Sequence, residues 1–280
     1  MTAEWTTTRR MTTEGTASDR TTARAFPTVL AQALRERVLS LMDTSRPEGP
    51  AFLAAAAGTE VAKATGFGPL EKLCKPLIVP AALTIALREG AQGGAGAGSG
   101  GLGPVDTALL SVTGAAYTTG DVILMLGGGH ASRSKARLVS GAAAFGVGHL
   151  ALGGLMLRSG LRFKPVQSAV HGVVAGAAGA ILLSEDRANA PLAAYGGLLA
   201  ALSALATSVD RRSGPGASVL AVAGPVFLLS DALILLRRKT EGGSALARGL
   251  DVGVIDTYAT AALLLLTGTA AAARTAGRSA

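Results

Sequence analysis

Long stretches of this 280-residue sequence lack charged side chains altogether. Residues 138–157, 165–184 and 188–209 contain no Asp, Glu, Lys or Arg. A helix of about 20 residues crosses the roughly 30 Å hydrocarbon core of a bilayer, so each stretch predicts a membrane-spanning helix. The stretches also lack the apolar–polar alternation of strands and are rich in Ala, Leu and Gly, which disfavours membrane-spanning strands.

Other absences narrow the class of protein. The sequence has a single cysteine, Cys74, so an internal disulfide is excluded. It contains no Gly-x-Ser-x-Gly, His-Glu-x-x-His or Cys-x-x-Cys motif. The net charge of +8 comes largely from Lys and Arg in short loops, without a basic face interleaved with aromatics. We therefore expect no nucleic-acid partner, no cofactor and no metal.

Further helices emerge when one aspartate per segment is allowed. These segments are about 105–126, 217–236 and 252–272, and two weaker candidates lie at 50–66 and 76–92. We predict an all-α integral membrane protein. Residues 49–273 should form a bundle of about eight transmembrane helices with a polar cavity, and residues 274–280 a C-terminal tail. The glycine-rich segment 90–103 contains a formal Gly-x-Gly-x-x-Gly, but no strand precedes it, which favours a flexible linker.

The first 48 residues differ from the rest. The opening is rich in Thr and Arg, which predicts disorder and no secretory signal peptide. Within 28–42, four apolar residues share one helical face: Leu30, Leu34, Val38 and Leu41. This amphipathic helix either lies in the membrane interface or packs on the bundle. We expect the arm to be dispensable, and its arginines to place both termini of a multi-pass cell-membrane protein in the cytoplasm.

Polar side chains inside the predicted spans are the functional candidates, because an ionisable group at membrane depth costs about 2.5–3.5 kcal/mol on insertion scales. They are Glu60, Lys63, Asp121, His149, His171, Asp231 and Asp256, with Lys75 at the start of the second span. Glu60 and Lys63 can neutralise each other, His171 can be a core residue, and Asp256 can lie near the interface. Asp121 and Asp231 have no basic residue at helical spacing, which favours a function for both.

Five ordered motifs resemble those of the YhhN-like lysoplasmalogenase family, which are integral membrane hydrolases of lysoplasmalogens. They read EKLCKPLIVPAALTIAL, GDVILML, GHLALGGLML, SDALILLRRK and DTYATAALLLLTG, and the resemblance covers about residues 50–270. It implies an ether hydrolase that cleaves the vinyl ether bond of a lysophospholipid in the bilayer. Two positions depart from the family pattern. The aromatic residue usual a few positions after the histidine is absent around Leu152, and the usual glutamine four positions after the tyrosine is Ala262.

The resemblance also implies the site residues. It assigns Lys75, Asp121, His149, Ser230, Asp231 and Tyr258 to the family motifs, and Glu60 to an acidic position of the first helix. Tyr117 lies one helical turn before Asp121 and either lines the same cavity or is a buried aromatic. Lys75, together with His149 if it is protonated, would hold the phosphate or tune the carboxylates. Tyr258 would donate to the ether or leaving oxygen, and Ser230 would position water.

The expected chemistry fits two carboxylates. Vinyl ether hydrolysis protonates the β carbon and adds water to the α carbon of an oxocarbenium-like species, which requires an acid and a base. In an apolar site, burial and mutual repulsion favour one protonated and one ionised carboxyl group. We predict that Asp121 and Asp231 form this catalytic pair and share a proton, and the sequence leaves open which one is the acid.

The sequence is also compatible with two other functions, and it does not determine the oligomeric state. One is a metal-dependent lipid hydrolase in which His149, His171 and an aspartate bind zinc. The other is a non-enzymatic, proton-coupled transporter or channel, because intramembrane carboxylates also mark proton paths. Proton flux in liposomes against turnover of a vinyl ether lipid distinguishes the second from an enzyme.

Overall fold

The computed structural model describes residues 14–91, 101–126, 135–210, 215–241 and 243–277, and these residues form helices and connecting turns without a strand. The helices are α1 (Glu14–Leu41), α2 (Glu48–Thr65), α3 (Gly68–Cys74), α4 (Ile78–Ala91), α5 (Pro104–Met125), α6 (Lys135–Arg158), α7 (Pro165–Glu185), α8 (Ala190–Thr207), α9 (Pro215–Ser218), α10 (Leu220–Lys239) and α11 (Ala245–Gly277). Short 3₁₀ turns, Lys75–Leu77 and Arg187–Asn189, precede α4 and α8. The predicted all-α class is confirmed.

Six helical segments in the described part of the chain are long and apolar enough to cross a membrane. They are Pro104–Met125, Lys135–Arg158, Pro165–Glu185, Arg187–Thr207, Gly216–Lys239 and Ala245–Gly277. The helices predicted near 50–66 and 76–92 are present as α2 and α4, but α4 has 14 residues. At 1.5 Å per residue it measures about 21 Å, which is short of the hydrocarbon thickness. The total of eight spans stays a prediction.

Helix α11 occupies the centre of the bundle. It packs against α10, α4 and α2, and also against α5, α6 and α9. Every residue from Ala261 to Ala273 is buried. This stretch, AALLLLTGTAAAA, is apolar or small on all sides, the pattern of a helix that is surrounded by protein. The remaining helices are arranged around it, and α7 lies at the periphery, where it packs chiefly against α8.

The N-terminal arm is more ordered than its composition predicts. Residues 14–41 form α1, so the disorder expected before residue 28 is wrong for the part from Glu14 onward, while residues 1–13 lie outside the described residues. Of the two positions left open for the amphipathic segment, the structure shows packing on the bundle. Ala33 and Leu41 are buried in the main hydrophobic core, and Arg37 forms an ion pair with Glu89 of α4.

Helices α1 and α11 both contact Glu89 of α4. Near the end of α11, Arg274 donates a hydrogen bond of 2.6 Å from Nη1 to the Glu89 carbonyl oxygen, beside the Arg37–Glu89 pair of α1. The predicted tail at 274–280 therefore starts inside α11, and residues 278–280 lie outside the described residues. The same holds for residues 92–100 of the predicted glycine-rich linker. Placement of the termini in the cytoplasm stays a prediction.

Candidate functional site

Asp121 lies near the end of α5 and is 2% exposed. The hydroxyl group of Tyr258, from α11, donates a 2.6 Å hydrogen bond to Asp121 Oδ2. Lys75 Nζ lies 3.6 Å from Asp121 Oδ1. A buried carboxylate requires such partners, because an unpaired charge in an apolar interior is strongly disfavoured. Both contacts stabilise the ionised form of Asp121.

Lys75 reaches Asp121 because of the local chain geometry. Gly66, with a φ of 73°, ends α2 in the left-handed conformation that glycine adopts without strain. The short helix α3 then runs into the 3₁₀ turn Lys75–Leu77, in which Pro76 follows the lysine. The Lys75 side chain is 12% exposed, so this turn directs it into the bundle instead of toward the outside.

Asp231 lies on α10 and has a different partner. It is half-buried, and the Tyr195 hydroxyl group of α8 is within hydrogen-bonding reach of its carboxyl group. No ion pair of Asp231 occurs within 4.0 Å among the residues that the structure describes. The preceding residue, Ser230, donates a 3.2 Å hydrogen bond to the Val254 carbonyl oxygen and thereby ties α10 to α11.

A directed chain of hydrogen bonds runs behind Asp231. His149 Nδ1 lies 2.6 Å from the Tyr117 hydroxyl oxygen, and Nε2 lies 3.3 Å from that of Tyr195. Each tyrosine hydroxyl has one hydrogen to donate. If Tyr195 donates to Asp231, its oxygen accepts from His149 Nε2–H, and Nδ1 then accepts from Tyr117. In this arrangement the histidine is the neutral Nε2–H tautomer.

Six rings form a contiguous aromatic cluster around these groups, made of Tyr117, Phe145, His149, Tyr195, Phe227 and Tyr258. Glycine makes room for it between α5 and α6. A Cβ atom on Gly120 would stand 2.6 Å from the Phe145 ring, and one on Gly148 would overlap the Tyr117 ring. Close packing of these rings holds the polar groups in fixed positions.

A cavity of about 190 Å³ lies beside the cluster. Its polar lining consists of Lys75, Asp121, Tyr195, Ser230, Asp231 and Tyr258. Both aspartates of the predicted catalytic pair therefore line one cavity, together with three of the other predicted site residues. The rest of the lining is apolar and comes from α5 to α8, α10 and α11.

Three predicted site residues lie outside this lining. His149 and Tyr117 sit one layer behind it in the hydrogen-bond chain, and Glu60 lies half-buried on α2. Lys63 pairs with Glu71 at 2.6 Å, so it does not serve as the partner of Glu60. Direct binding of substrate by Glu60, His149 or Tyr117 stays a prediction.

Tyr195 was missed by sequence reasoning, although it connects His149 with Asp231. Its signal is visible in retrospect. The sequence has three tyrosines, and Tyr195 stands in the charge-free stretch 188–209, where a hydroxyl group needs a partner inside the bundle. All three tyrosines belong to the aromatic cluster.

The zinc alternative requires His149, His171 and an aspartate to lie close together. In the part of the chain that the structure describes, no three His, Cys, Asp or Glu side chains form such a group. Both ring nitrogens of His149 face tyrosine hydroxyl groups. His171 directs Nδ1 at the Gln167 carbonyl oxygen of its own helix, at 2.8 Å. These two histidines therefore do not share a coordination centre.

Comparison with known families gives a match over residues 70–269 to the YhhN family. The chain belongs to the YhhN family. The matched range contains Lys75, Asp121, His149, Asp231 and Tyr258, whereas α1 and α2 precede it. Comparison with curated proteins and with solved structures gave no match. Family membership and the long apolar helices together describe a multi-pass membrane protein of the YhhN family, with a cavity whose largely apolar wall carries two carboxyl groups.

Proposed function

We propose that this YhhN family protein hydrolyses the vinyl ether bond of lysoplasmalogens, or of a closely related lysolipid, to an aldehyde and a glycerophospho-headgroup. The observation that carries the proposal is the pair of carboxyl groups, Asp121 and Asp231, on a single apolar-walled cavity. Their partners differ, which suits an acid and a base in one site. The ordered family motifs support the choice of substrate class.

The partners divide the roles between the two aspartates. Asp121 faces the Lys75 ammonium group and accepts from Tyr258, and both contacts favour a carboxylate. Asp231 has no ion pair among the described residues, and its partner within hydrogen-bonding reach is the neutral Tyr195 hydroxyl group, so less positive charge favours its ionised form than in Asp121. Asp231 therefore acts as the acid and Asp121 as the base. Separate partners favour this division over a proton shared between them.

The reaction balances with these two groups and one water molecule. Asp231 transfers its proton to the β carbon of the vinyl ether, and the π electrons form the new C–H bond and leave an oxocarbenium ion. Asp121 takes a proton from water as the water oxygen bonds to the α carbon. The resulting hemiacetal breaks its C–O bond to the glycerol oxygen, which takes the proton from Asp121. The hemiacetal hydroxyl group gives its proton to Asp231 as the aldehyde forms, so both aspartates return to their starting states.

The remaining polar lining assists these steps. Tyr258 keeps Asp121 oriented, and Lys75 offers a cation to the carboxylate or to the lipid phosphate. The Ser230 hydroxyl group donates its hydrogen to the Val254 carbonyl oxygen. Its oxygen can therefore still accept a hydrogen bond from a water molecule. The aromatic cluster excludes bulk water from the oxocarbenium ion.

A panel of lysolipids incubated with purified protein tests reaction and substrate together. Mass spectrometry should detect a long-chain aldehyde from the vinyl ether lysolipid and no fatty acid from the ester analogue. In D₂O the aldehyde should carry one deuterium on the carbon beside the carbonyl group, because that carbon receives the acid proton. Release of fatty acid, or an aldehyde without this deuterium, would contradict the proposal.

Substitution of the two aspartates tests the assignment of residues. Asp121→Asn and Asp231→Asn should each lower turnover by about 10²–10⁴-fold, the usual contribution of proton transfer, in protein that stays folded. The double variant should be scarcely slower than either single variant, because paired catalytic groups act as a unit.

The alternative of a transporter is tested by proton flux in liposomes. Proton flux without lysolipid turnover would favour a transporter over a hydrolase.

A further inference from the structure

Helix α7 forms one wall of the cavity and separates it from the outside of the bundle. Its outward residues include large exposed hydrophobics, among them Val166, Val170, Val173 and Ile181. Its inward row consists of Val174, Ala178 and Leu182, spaced four apart, which line the cavity with Ala175 and Gly179. The α7 wall contributes no polar side chain to this cavity, in contrast to the opposite wall, which carries the carboxyl groups.

The cavity is open sideways, between α7 and α10. Val174 lines the cavity and is 49% exposed, and Ala232 of α10 lines it and is exposed as well. Val174 stands near the middle of α7, about 15 Å from either end at 1.5 Å per residue. In a helix that crosses the membrane, this depth corresponds to lipid hydrocarbon and not to water.

The last turn of α7 has ion pairs to both neighbouring helices. Lys135 of α6 pairs with Asp186 at 2.6 Å, and Lys239 of α10 pairs with Glu185 at 2.5 Å. The hydrogen bonds from Lys135 and from the Ala188 amide lower the pKa of the Asp186 carboxyl group, so it stays ionised. Such contacts occur at the end of α7, whereas Val174 near its middle lines the cavity and is exposed.

We propose that the cavity binds the single hydrocarbon chain of a lysolipid, which enters sideways from the bilayer between Val174 and Ala232 and lies against the inward row of α7. The proposal rests on the proposed function, which identifies the vinyl ether end of the lysolipid as the part that contacts Asp121 and Asp231. An apolar wall opposite a polar wall matches an amphiphile. Val174, Ala178 and Leu182 of α7 line the cavity together with Leu228, Ala232 and Leu235 of α10, and these two rows, the groove of the proposal, provide the apolar surface for the chain.

Two neighbouring alanines on α7 provide a matched pair for the test. Ala178 faces the cavity, whereas Ala177 is exposed and does not line it. Ala178→Phe fills the groove and should raise KM for a long-chain vinyl ether lysolipid by about tenfold or more, because the chain loses buried contacts. Ala177→Phe adds the same side chain toward lipid and should leave KM within about twofold. Equal KM values for the two variants would overturn the proposal.

Photolabelling tests the groove without relying on turnover. A lysophosphatidylethanolamine analogue with a diazirine on its saturated chain is added to the full-length protein in vesicles, and the labelled residues are mapped by mass spectrometry. Label should fall on Ala178, Leu182, Leu228 or Leu235, in the wild-type protein and equally in Asp121→Asn, and should decrease in Ala178→Phe. Label confined to outward residues such as Val173 and Ile181 would overturn the proposal.

The two experiments separate the groove from the chemistry. Labelling of the inward row together with an inactive wild-type protein would retain the groove and reject the proposed hydrolysis. Aldehyde production together with outward labelling would retain the hydrolysis and reject the groove. If Ala178→Phe fails to fold, labelling of the wild-type protein decides by itself.

Discussion

His149 holds Tyr195 in place from behind, with its Nε2 atom 3.3 Å from the tyrosine hydroxyl oxygen. The other ring nitrogen is taken by Tyr117 at 2.6 Å. The histidine is 1% exposed and does not line the cavity, so its geometry suits a positioning residue that acts through Tyr195 on Asp231. Of the two roles predicted for His149, this geometry favours tuning a carboxyl group over holding the lipid phosphate.

Tyr195→Phe tests this chain. The change keeps the ring but removes the donor to Asp231 and leaves His149 Nε2 without a partner. A hydrogen bond to a charged or proton-transferring group contributes about 1.5–3 kcal/mol, so kcat should fall by about 10–100-fold with little change in KM. Tyr117→Phe, one step further from Asp231, should reduce kcat less. A wild-type kcat for Tyr195→Phe would exclude the positioning role.

We expect the Lys75–Asp121 ion pair to contribute to the stability of the protein as well as to its activity. Lys75→Met leaves a buried carboxylate with Tyr258 as its remaining partner, and breaking a buried ion pair typically destabilises a protein by about 3–5 kcal/mol. Thermal unfolding in detergent should show a lower Tm for Lys75→Met and a smaller decrease for Lys75→Arg.

The control for this pair is the double variant. Lys75→Met combined with Asp121→Asn removes both charges, so its Tm should lie above that of Lys75→Met alone. Additive decreases in Tm would show that the two side chains are not energetically coupled.

Two glycines of α6 offer a matched test of the aromatic cluster. A Cβ atom on Gly148 would overlap the Tyr117 ring, whereas one on Gly154 meets no atom within 4 Å. Gly148→Ala should destabilise the protein by about 1–3 kcal/mol through overpacking and should lower activity through Tyr117 and His149. Gly154→Ala should be neutral or stabilising by up to about 1 kcal/mol, because alanine is the better helix former. Equal Tm values for the two variants would contradict the tight packing at Gly148.

Two truncations test how much of the N-terminal arm is dispensable. Removal of residues 1–26 should leave Tm and turnover unchanged, since it keeps Ala33 and Leu41, which α1 contributes to the described core. Removal of residues 1–47 deletes Ala33 and Leu41 from the core and leaves Glu89 without Arg37, so Tm should fall. The sequence-based expectation that the whole arm is dispensable holds if both truncations match the full-length protein.

The sequence by itself determined the membrane class and most of the helices. Charge-free stretches of about 20 residues have one low-energy form in hydrocarbon, because every backbone polar group must be satisfied within the segment. Helices α6, α7 and α8 therefore appear close to where the missing charges predict them. Isolated polar residues in such helices, Asp121 and Asp231 above all, were also visible, because their burial is costly without a purpose.

Tertiary structure alone decided which of these residues meet. Helix α4 and most of α5 separate Lys75 from Asp121 in the sequence, and Tyr258 lies 137 positions after Asp121, yet all three converge. Helical periodicity states which face a residue occupies but not which helix that face contacts. The link from His149 through Tyr195 to Asp231, and the opening beside Val174, depend on how α6, α7, α8 and α10 pack, which is a property of long-range contacts and not of local sequence.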